Sequence, residues 1–145
     1  MNLSIVVVKV VRENAPYNNK LVGKGGRYLV QHREGDNSGN AVMKYLTPYA
    51  KEPLVIEGVS LQKHSEIVKS VGEMVYKAVV QHVVEDFDTG RLHKSERNYF
   101  INGDSYSDAY WALLDEALNW VGLFEIISLS KTNIRDILYD NCNRL

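Results

Sequence analysis

The sequence predicts an α+β fold, with a small, mostly antiparallel sheet packed by one long helix and one or two shorter helices. Three observations support this prediction. Residues 60–86 place apolar side chains at intervals of three and four, as one face of a helix does. Short β-branched runs precede this segment, and a second stretch with helical spacing follows it at residues 106–121. With 145 residues, the chain is long enough to bury a core as a single domain, residues 1–145.

Two strands are predicted at the start of the chain. Residues 3–11 are rich in valine and are interrupted by Lys9, which suits a central strand with one side partly covered. Residues 27–32 continue a second strand after a break at the glycines of residues 23–26, and the two strands are predicted to pair as an antiparallel hairpin. The elements that follow are a polar loop at 34–40, a short helix at 41–49 and a short strand at 54–56.

The long helix is predicted over residues 60–86, with Ser60 as its N-cap. Its apolar stripe runs from Leu61 to Val83, and charged residues such as Glu66 and Lys77 fall on the other side. A helix of this length spans about 39 Å, so the other elements are expected to pack along it.

A second helix is predicted after residue 105, with Ser105 or Ser107 as its N-cap. Asp108 lies in its first turn, where a carboxylate suits the helix dipole, and Gly122 ends it. The other predicted elements of this half are a short strand at 99–101 with a turn at residues 102–103, a strand at 123–129, and a short terminal helix capped by Thr132 that buries Ile134, Ile137 and Leu138.

The net charge of −1 conceals a separation of charge along the chain. The first 33 residues carry a net charge of +5 and the rest carry −6, and no Lys or Arg lies between Asn98 and Ser130. Such asymmetry indicates an anionic partner or a head-to-tail contact between copies. A single cysteine, Cys142, excludes an intramolecular disulfide and suits a reducing compartment. We therefore expect a cytoplasmic protein without a membrane partner.

The basic N-terminal hairpin is the first candidate site. It carries Lys20, Lys24, Arg27 and Arg33, with Tyr28 among them, and this combination of cations and an aromatic ring suits a phosphate backbone or a nucleotide. Because neighbours on a strand point to opposite sides, Arg27 and Tyr28 contact one ligand only if the hairpin twists or bulges. The alternative is a solvated basic edge that protects the sheet from aggregation.

A partner-binding surface is the second candidate. Trp111 and Trp120 lie off the main apolar stripe of the second helix, beside Asp115 and Glu116. Aromatic residues next to acids on a polar face are typical of protein interfaces. Tyr76 belongs to a second apolar row on the predicted long helix, so this helix is either packed on two sides within the domain or paired with another copy of the chain. Self-association is therefore predicted.

A metal or hydrolase site around His82 is the third candidate. On a helix, Glu85 and Asp86 would lie one turn after His82, and His93 would fold back onto them. The simpler interpretation is that His82 is packed or hydrogen-bonded inside the core. The sequence lacks a nucleophile elbow, a Walker loop and a Rossmann fingerprint, so no catalytic residue, metal or cofactor is predicted.

The most economical prediction of function is a small non-enzymatic binding protein, homo-oligomeric, that acts through protein–protein contacts. Its composition is of a kind found among accessory or inhibitor proteins of phages and mobile elements, which is an association and not a mechanism. The alternatives are a nucleic-acid or nucleotide binder that uses the basic hairpin, and a small hydrolase or metalloenzyme around His82.

Overall fold

The computed structural model describes residues 2–10, 26–33, 35–48 and 54–139. Of these residues, 57% lie in strands and 18% in helices. In chain order the elements are β1 (Asn2–Val10), β2 (Gly26–His32), α1 (Ser38–Leu46), β3 (Leu54–Gln62), β4 (Ser65–Val68), β5 (Met74–Glu85), β6 (Leu92–Gly103), α2 (Tyr106–Ala117), β7 (Leu123–Lys131) and β8 (Ile134–Leu138).

The chain divides into two compact units, each with one four-stranded sheet and one short helix. Unit 1 contains the described residues up to Lys63 and those from Asn133 onward. Unit 2 is the continuous segment His64–Thr132. The predicted α+β fold, a sheet packed by one long helix, is therefore wrong, because the chain is mostly β and its two helices are short.

Unit 1 has the strand order β3-β1-β2-β8. The predicted hairpin is confirmed, since β1 and β2 pair antiparallel with Val6 opposite Tyr28. α1 covers one face of this sheet and begins within the segment predicted to be a loop. The core between helix and sheet consists of Val6, Val8, Tyr28, Val30, Val42, Leu46 and Leu138.

Unit 2 has the strand order β4-β6-β5-β7. β5 lies inside the sheet and pairs antiparallel with both β6 and β7, whereas the short strand β4 pairs parallel with β6. α2 packs on one face of the sheet through Ala109 and Leu113. The sheet side of this core consists of Val68, Tyr76, Ala78, Val80, Tyr99 and Ile101.

The second helix and the strand after it are confirmed as α2 and β7. The Ser105 hydroxyl accepts the amide N–H of Asp108 at 3.2 Å, which is the N-cap bond that the sequence predicts. The prediction that Gly122 ends this helix is wrong, because α2 ends at Ala117 with Leu118 as its C-cap. Gly122 has a φ of 84°, in the left-handed region that glycine adopts without strain, so the chain can turn there into β7. The predicted strand at 99–101 is confirmed as part of β6, although residues 102–103 belong to that strand and not to a turn.

The predicted long helix at residues 60–86 is wrong. Ser60 lies within β3 and caps nothing, and the rest of the segment forms β4, β5 and their connections. His64, whose φ is 54°, lies in the turn between β3 and β4. Gly72 lies in the connection between β4 and β5. The apolar residues of three separate strands thus mimicked the spacing of one helix.

The predicted terminal helix is also wrong, because these residues form β8, a parallel edge strand beside β2. Ile134, Ile137 and Leu138 are buried as predicted. Their helical spacing arises from an irregular register between β2 and β8 near Arg135, and adjacent strand residues can both be buried where both faces are covered.

The predicted glycine break at 23–26 lies outside the described residues except for Gly26, which begins β2. Within the described part of the chain, no helix is long and apolar enough to cross a membrane.

Candidate functional site

The solvent-facing side of α2 carries an exposed tryptophan between two acids. Asp108, Trp111, Asp115 and Leu118 follow one another at intervals of three and four residues, which places them along one stripe of the helix; we call this stripe the α2 outer face. Trp111 is 64% exposed and Leu118 is 85% exposed. Only one ring contact orients Trp111 among the described residues, an edge contact with Tyr110 at a centroid distance of 5.8 Å.

The charges of the α2 outer face are not neutralised locally. Asp108 and Asp115 make no ion pair with the described part of the chain. No Lys or Arg lies between Asn98 and Ser130, so neighbours in sequence supply no cation either. The face therefore presents an aromatic ring in a negative field to solvent.

A second aromatic group lies on the same side of the unit 2 sheet as α2, inside the unit. The Nε2 atom of His82 and the hydroxyl of Tyr99 form a hydrogen bond at 2.8 Å. Trp120 stacks on Tyr99 and meets the edge of His82, both at a centroid distance of 4.8 Å. Phe124 packs edge-on against Trp120 at 5.0 Å. We call His82, Tyr99, Trp120 and Phe124 the aromatic cluster.

Burial sets the protonation states in the aromatic cluster. It lowers the pKa of His82 below its ordinary value, and the nearby Arg97 cation lowers it further. It also raises the pKa of Tyr99 to about 12, and the Glu66 carboxylate adds to this shift. Both side chains are therefore neutral at pH 7, and the cluster confirms the interpretation of His82 as a packed, hydrogen-bonded residue.

The predicted partner-binding residues separate into four environments. Trp111 and Asp115 lie together on the α2 outer face. Trp120 is half-buried in the aromatic cluster, and Glu116 is half-buried on another side of α2. Tyr76 is buried in the core of unit 2, because residues 76, 78, 80 and 82 share the face of β5 that α2 covers. Two of the five residues thus form an accessible surface.

The predicted anion-binding residues are also separated. Arg27 and Arg33 are exposed, whereas Tyr28 is fully buried in the core of unit 1, where burial raises its pKa. Its ring is therefore not available to a ligand that Arg27 contacts, as expected for neighbours on a regular strand. Lys20 and Lys24 lie outside the described residues.

The metal or hydrolase prediction requires His82 and Glu85 to lie on one face of a helix. Both lie on a strand instead, where residues three apart point to opposite faces of the sheet. His93 does lie near Asp86, with 3.7 Å between the Nε2 atom of His93 and the Oδ2 atom of Asp86, at the exposed end of the β5–β6 pair. Among the described residues, no group of three or more His, Cys, Asp or Glu side chains is placed to hold a metal ion.

Unit 1 contains a pocket between the end of β2 and the start of α1, and its accessible lining is more apolar than polar. Its volume is about 300 Å³. α1 begins here with Asn37 as N-cap, whose Oδ1 accepts the Asn40 amide N–H at 3.0 Å. The lining residues are Val30, Gln31, His32, Asp36, Asn37, Ser38, Asn40, Ala41 and Lys44.

The sequence prediction missed this pocket because it treated residues 34–40 as a loop with nothing to bury. One signal was available: Asn37 followed by Ser-Gly-Asn is a sequence in which an Asn side chain can cap a new helix. The predicted helix instead begins at the first apolar residue, Ala41, and therefore leaves out the small residues that form the first turn of α1.

The two sheets, each with a short helix on one face, define a mostly β protein whose described residues include an exposed aromatic surface and a small pocket with several polar lining residues. Residues 8–140 match the family described as Domain of unknown function (DUF4494), and since the match covers most of the chain, the protein belongs to this family. No curated protein and no solved structure matches the sequence. The function must therefore be argued from the residues themselves.

Proposed function

We propose that this protein is a non-enzymatic binding protein that acts through protein–protein contacts and associates with a second copy of itself through the α2 outer face. The observation that carries the proposal is Trp111, a residue that is 64% exposed and lies between two carboxylates on the helix. Exposed tryptophan is costly in water, and tryptophan is enriched among the residues that dominate binding energy in protein interfaces. A partner that covers Trp111 recovers this cost.

The charge distribution along the chain favours a second copy as the partner. The α2 outer face lies in a stretch that has acids and no cations, whereas the first 33 residues carry a net charge of +5. In a head-to-tail contact, the acidic face of one copy meets basic residues of the next, and opposite charges both guide and orient such contacts. Cys142 as the single cysteine supports the cytoplasm as the place of action.

Sedimentation analysis of the full-length protein tests this proposal. We expect a concentration-dependent oligomer that weakens as the salt concentration rises, because salt screens exposed charges. Trp111→Ala should weaken association about tenfold or more, as expected for an aromatic residue at the centre of an interface. Asp115→Asn should weaken it less and should reduce its dependence on salt.

Phe87→Ala is the matched control. Phe87 is another exposed aromatic residue of unit 2, in the turn between β5 and β6, and its side chain is 95% exposed. This variant should associate like the unmodified protein. A monomer at every concentration tested, or equal weakening by the Trp111 and Phe87 substitutions, would contradict the proposal.

A further inference from the structure

We propose that the pocket between β2 and α1 in unit 1 binds a small oxyanion, namely the phosphate or carboxylate group of a metabolite. Its volume of about 300 Å³ lies at the lower end of the range for small-molecule sites. The pocket is independent of the α2 outer face, which belongs to unit 2. Four features of the lining support the proposal.

The first feature is the pair of amides at the start of α1 that have no hydrogen-bond acceptor among the described residues. Asn37 satisfies two donors of the first turn, since its side chain accepts from Asn40 and its carbonyl oxygen accepts the Ala41 amide N–H at 3.3 Å. The amides of Ser38 and Gly39 have no partner within the helix, because the first turn offers them no acceptor. They lie at the positive end of the helix dipole, which favours an anion.

The second feature is the Ser38 hydroxyl, which points to a ligand independently of the helix. Ser38 is only 6% exposed and lines the pocket. Its hydroxyl forms no hydrogen bond with any described residue. A buried hydroxyl without a partner is unfavourable, and an acceptor oxygen bound in the pocket would satisfy it.

The third feature is the charge at the pocket. Lys44 lies on the same stripe of α1 as Asn37, Asn40 and Ala41, and lysine side chains on helices lean toward the N-terminus, here toward those two amides. Lys44 makes no ion pair with the described residues. Asp36 opposes an anion, but its Oδ2 accepts the Arg33 amide N–H at 3.3 Å, which holds this carboxylate on the turn before the helix.

The fourth feature is the fixed orientation of the His32 ring, which lines the pocket. Its Nδ1 lies 3.0 Å from the carbonyl oxygen of Arg33, which can only accept, so Nδ1 carries the proton. In the neutral ring, Nε2 then accepts the hydroxyl hydrogen of Ser4 at 2.8 Å. Both ring nitrogens are therefore used within unit 1, and His32 is a positioning residue that fixes the end of β2 beside the donors of α1.

Calorimetric titration of the full-length protein with sodium phosphate, and separately with sodium succinate, at constant ionic strength tests the inference. We expect saturable binding of one anion per chain. Ser38→Ala and Lys44→Gln should each weaken binding roughly tenfold, since each removes one hydrogen bond to a charged group. Asp36→Asn should strengthen binding, because it removes the opposing charge.

Two controls make the result specific. Lys94→Gln removes an exposed lysine of β6 in unit 2 and should bind like the unmodified protein. Ser38→Ala should keep its circular dichroism spectrum and melting temperature in the absence of anion, because the hydroxyl it loses bonds to none of the described residues. Lys44 is exposed, so Lys44→Gln remains informative even if the Ser38 variant does not fold.

The two anions distinguish between the two classes of ligand. Saturation by phosphate assigns a phosphorylated ligand, and saturation by succinate assigns a carboxylate ligand. Failure of both anions to saturate overturns the inference, as does equal weakening by Lys94→Gln and Lys44→Gln. The self-association proposal is unaffected by either result, because Trp111 contributes nothing to this pocket.

Discussion

At the scale of single residues, the burial of His82 and Tyr99 makes the stability of unit 2 depend on pH. The lowered pKa of His82 means that the unfolded chain takes up a proton near pH 6.5 that the folded protein resists. The raised pKa of Tyr99, to about 12, means that the unfolded chain loses a proton near pH 10 that the folded protein keeps. The free energy of unfolding therefore falls in both directions away from neutrality.

We expect the acid side of this dependence to disappear when His82 is replaced. In the unmodified protein, the free energy of unfolding should decrease as the pH falls below about 6.5. His82→Gln should be less stable at neutral pH and should show a smaller decrease. Urea unfolding followed by tryptophan fluorescence measures this, because Trp120 lies against the His82 ring. His93→Gln, at an exposed position, is the control, and an unchanged pH dependence in the His82 variant would contradict the assignment.

Two residues of the α2 outer face could be identified from the sequence alone. Trp111 and Asp115 were identified because both lie off the apolar stripe of a helix whose position was predicted correctly. Trp120 looked equivalent, yet it follows the last turn of α2 and packs on Tyr99. This contact joins positions far apart in sequence, and local spacing gives no information about it.

At the scale of elements, β5 explains why the fold class could not be obtained from the sequence. Its residues 76, 78, 80 and 82 are buried, but residues 79 and 83 on the other face are valines that are also half-buried. When both faces of a strand carry apolar residues, the alternation that marks a strand disappears. The abundance of β-branched valine was the remaining signal, and it favours a strand.

α2 was predictable for the opposite reason. Its cap, its first-turn acid and its apolar stripe all indicate the same structure, and one side of the helix faces solvent. The first turn of α1 could not be predicted from hydrophobic spacing, because it consists of small polar residues whose capping role depends on backbone geometry. Local sequence signals therefore predict α2 but only the later turns of α1.

Gly72, in the connection that leads into β5, provides a test at the scale of elements. A Cβ atom at this position would overlap the backbone of Gly103, which ends β6, and backbone atoms cannot move aside cheaply. We expect Gly72→Ala to lower the free energy of unfolding by about 3 kcal/mol, as overpacking does. Urea unfolding measures this change.

Gly58→Ala is the matched control for Gly72. Gly58 lies in β3, and nothing lies within 4 Å of a Cβ atom added there. Because alanine loses less conformational freedom than glycine on folding, this variant should be as stable as the unmodified protein or slightly more stable. Equal destabilisation by both substitutions would show that the close approach of Gly72 to Gly103 is not the cause.

At the scale of the whole molecule, the chain leaves unit 1 after Lys63 and returns to it at Asn133. Unit 1 therefore depends on unit 2 through chain connectivity, because β8 must return to pair with β2. A folded unit 2 holds its two ends at a fixed separation. An unfolded unit 2 would be a loop of residues 64–132, and closing a loop of that length costs about 4 kcal/mol of chain entropy.

Because of this entropy cost, we expect the two units to unfold together, as a single domain would. Both tryptophans lie in unit 2, so fluorescence reports on that unit, and amide hydrogen exchange in β1 and β2 reports on unit 1. We expect both signals to change at the same urea concentration. Gly72→Ala, which alters unit 2 alone, should move both transitions to lower urea by the same amount. If it shifts the fluorescence transition and leaves exchange in β1 and β2 unchanged, loop closure does not couple the units and they are independent domains.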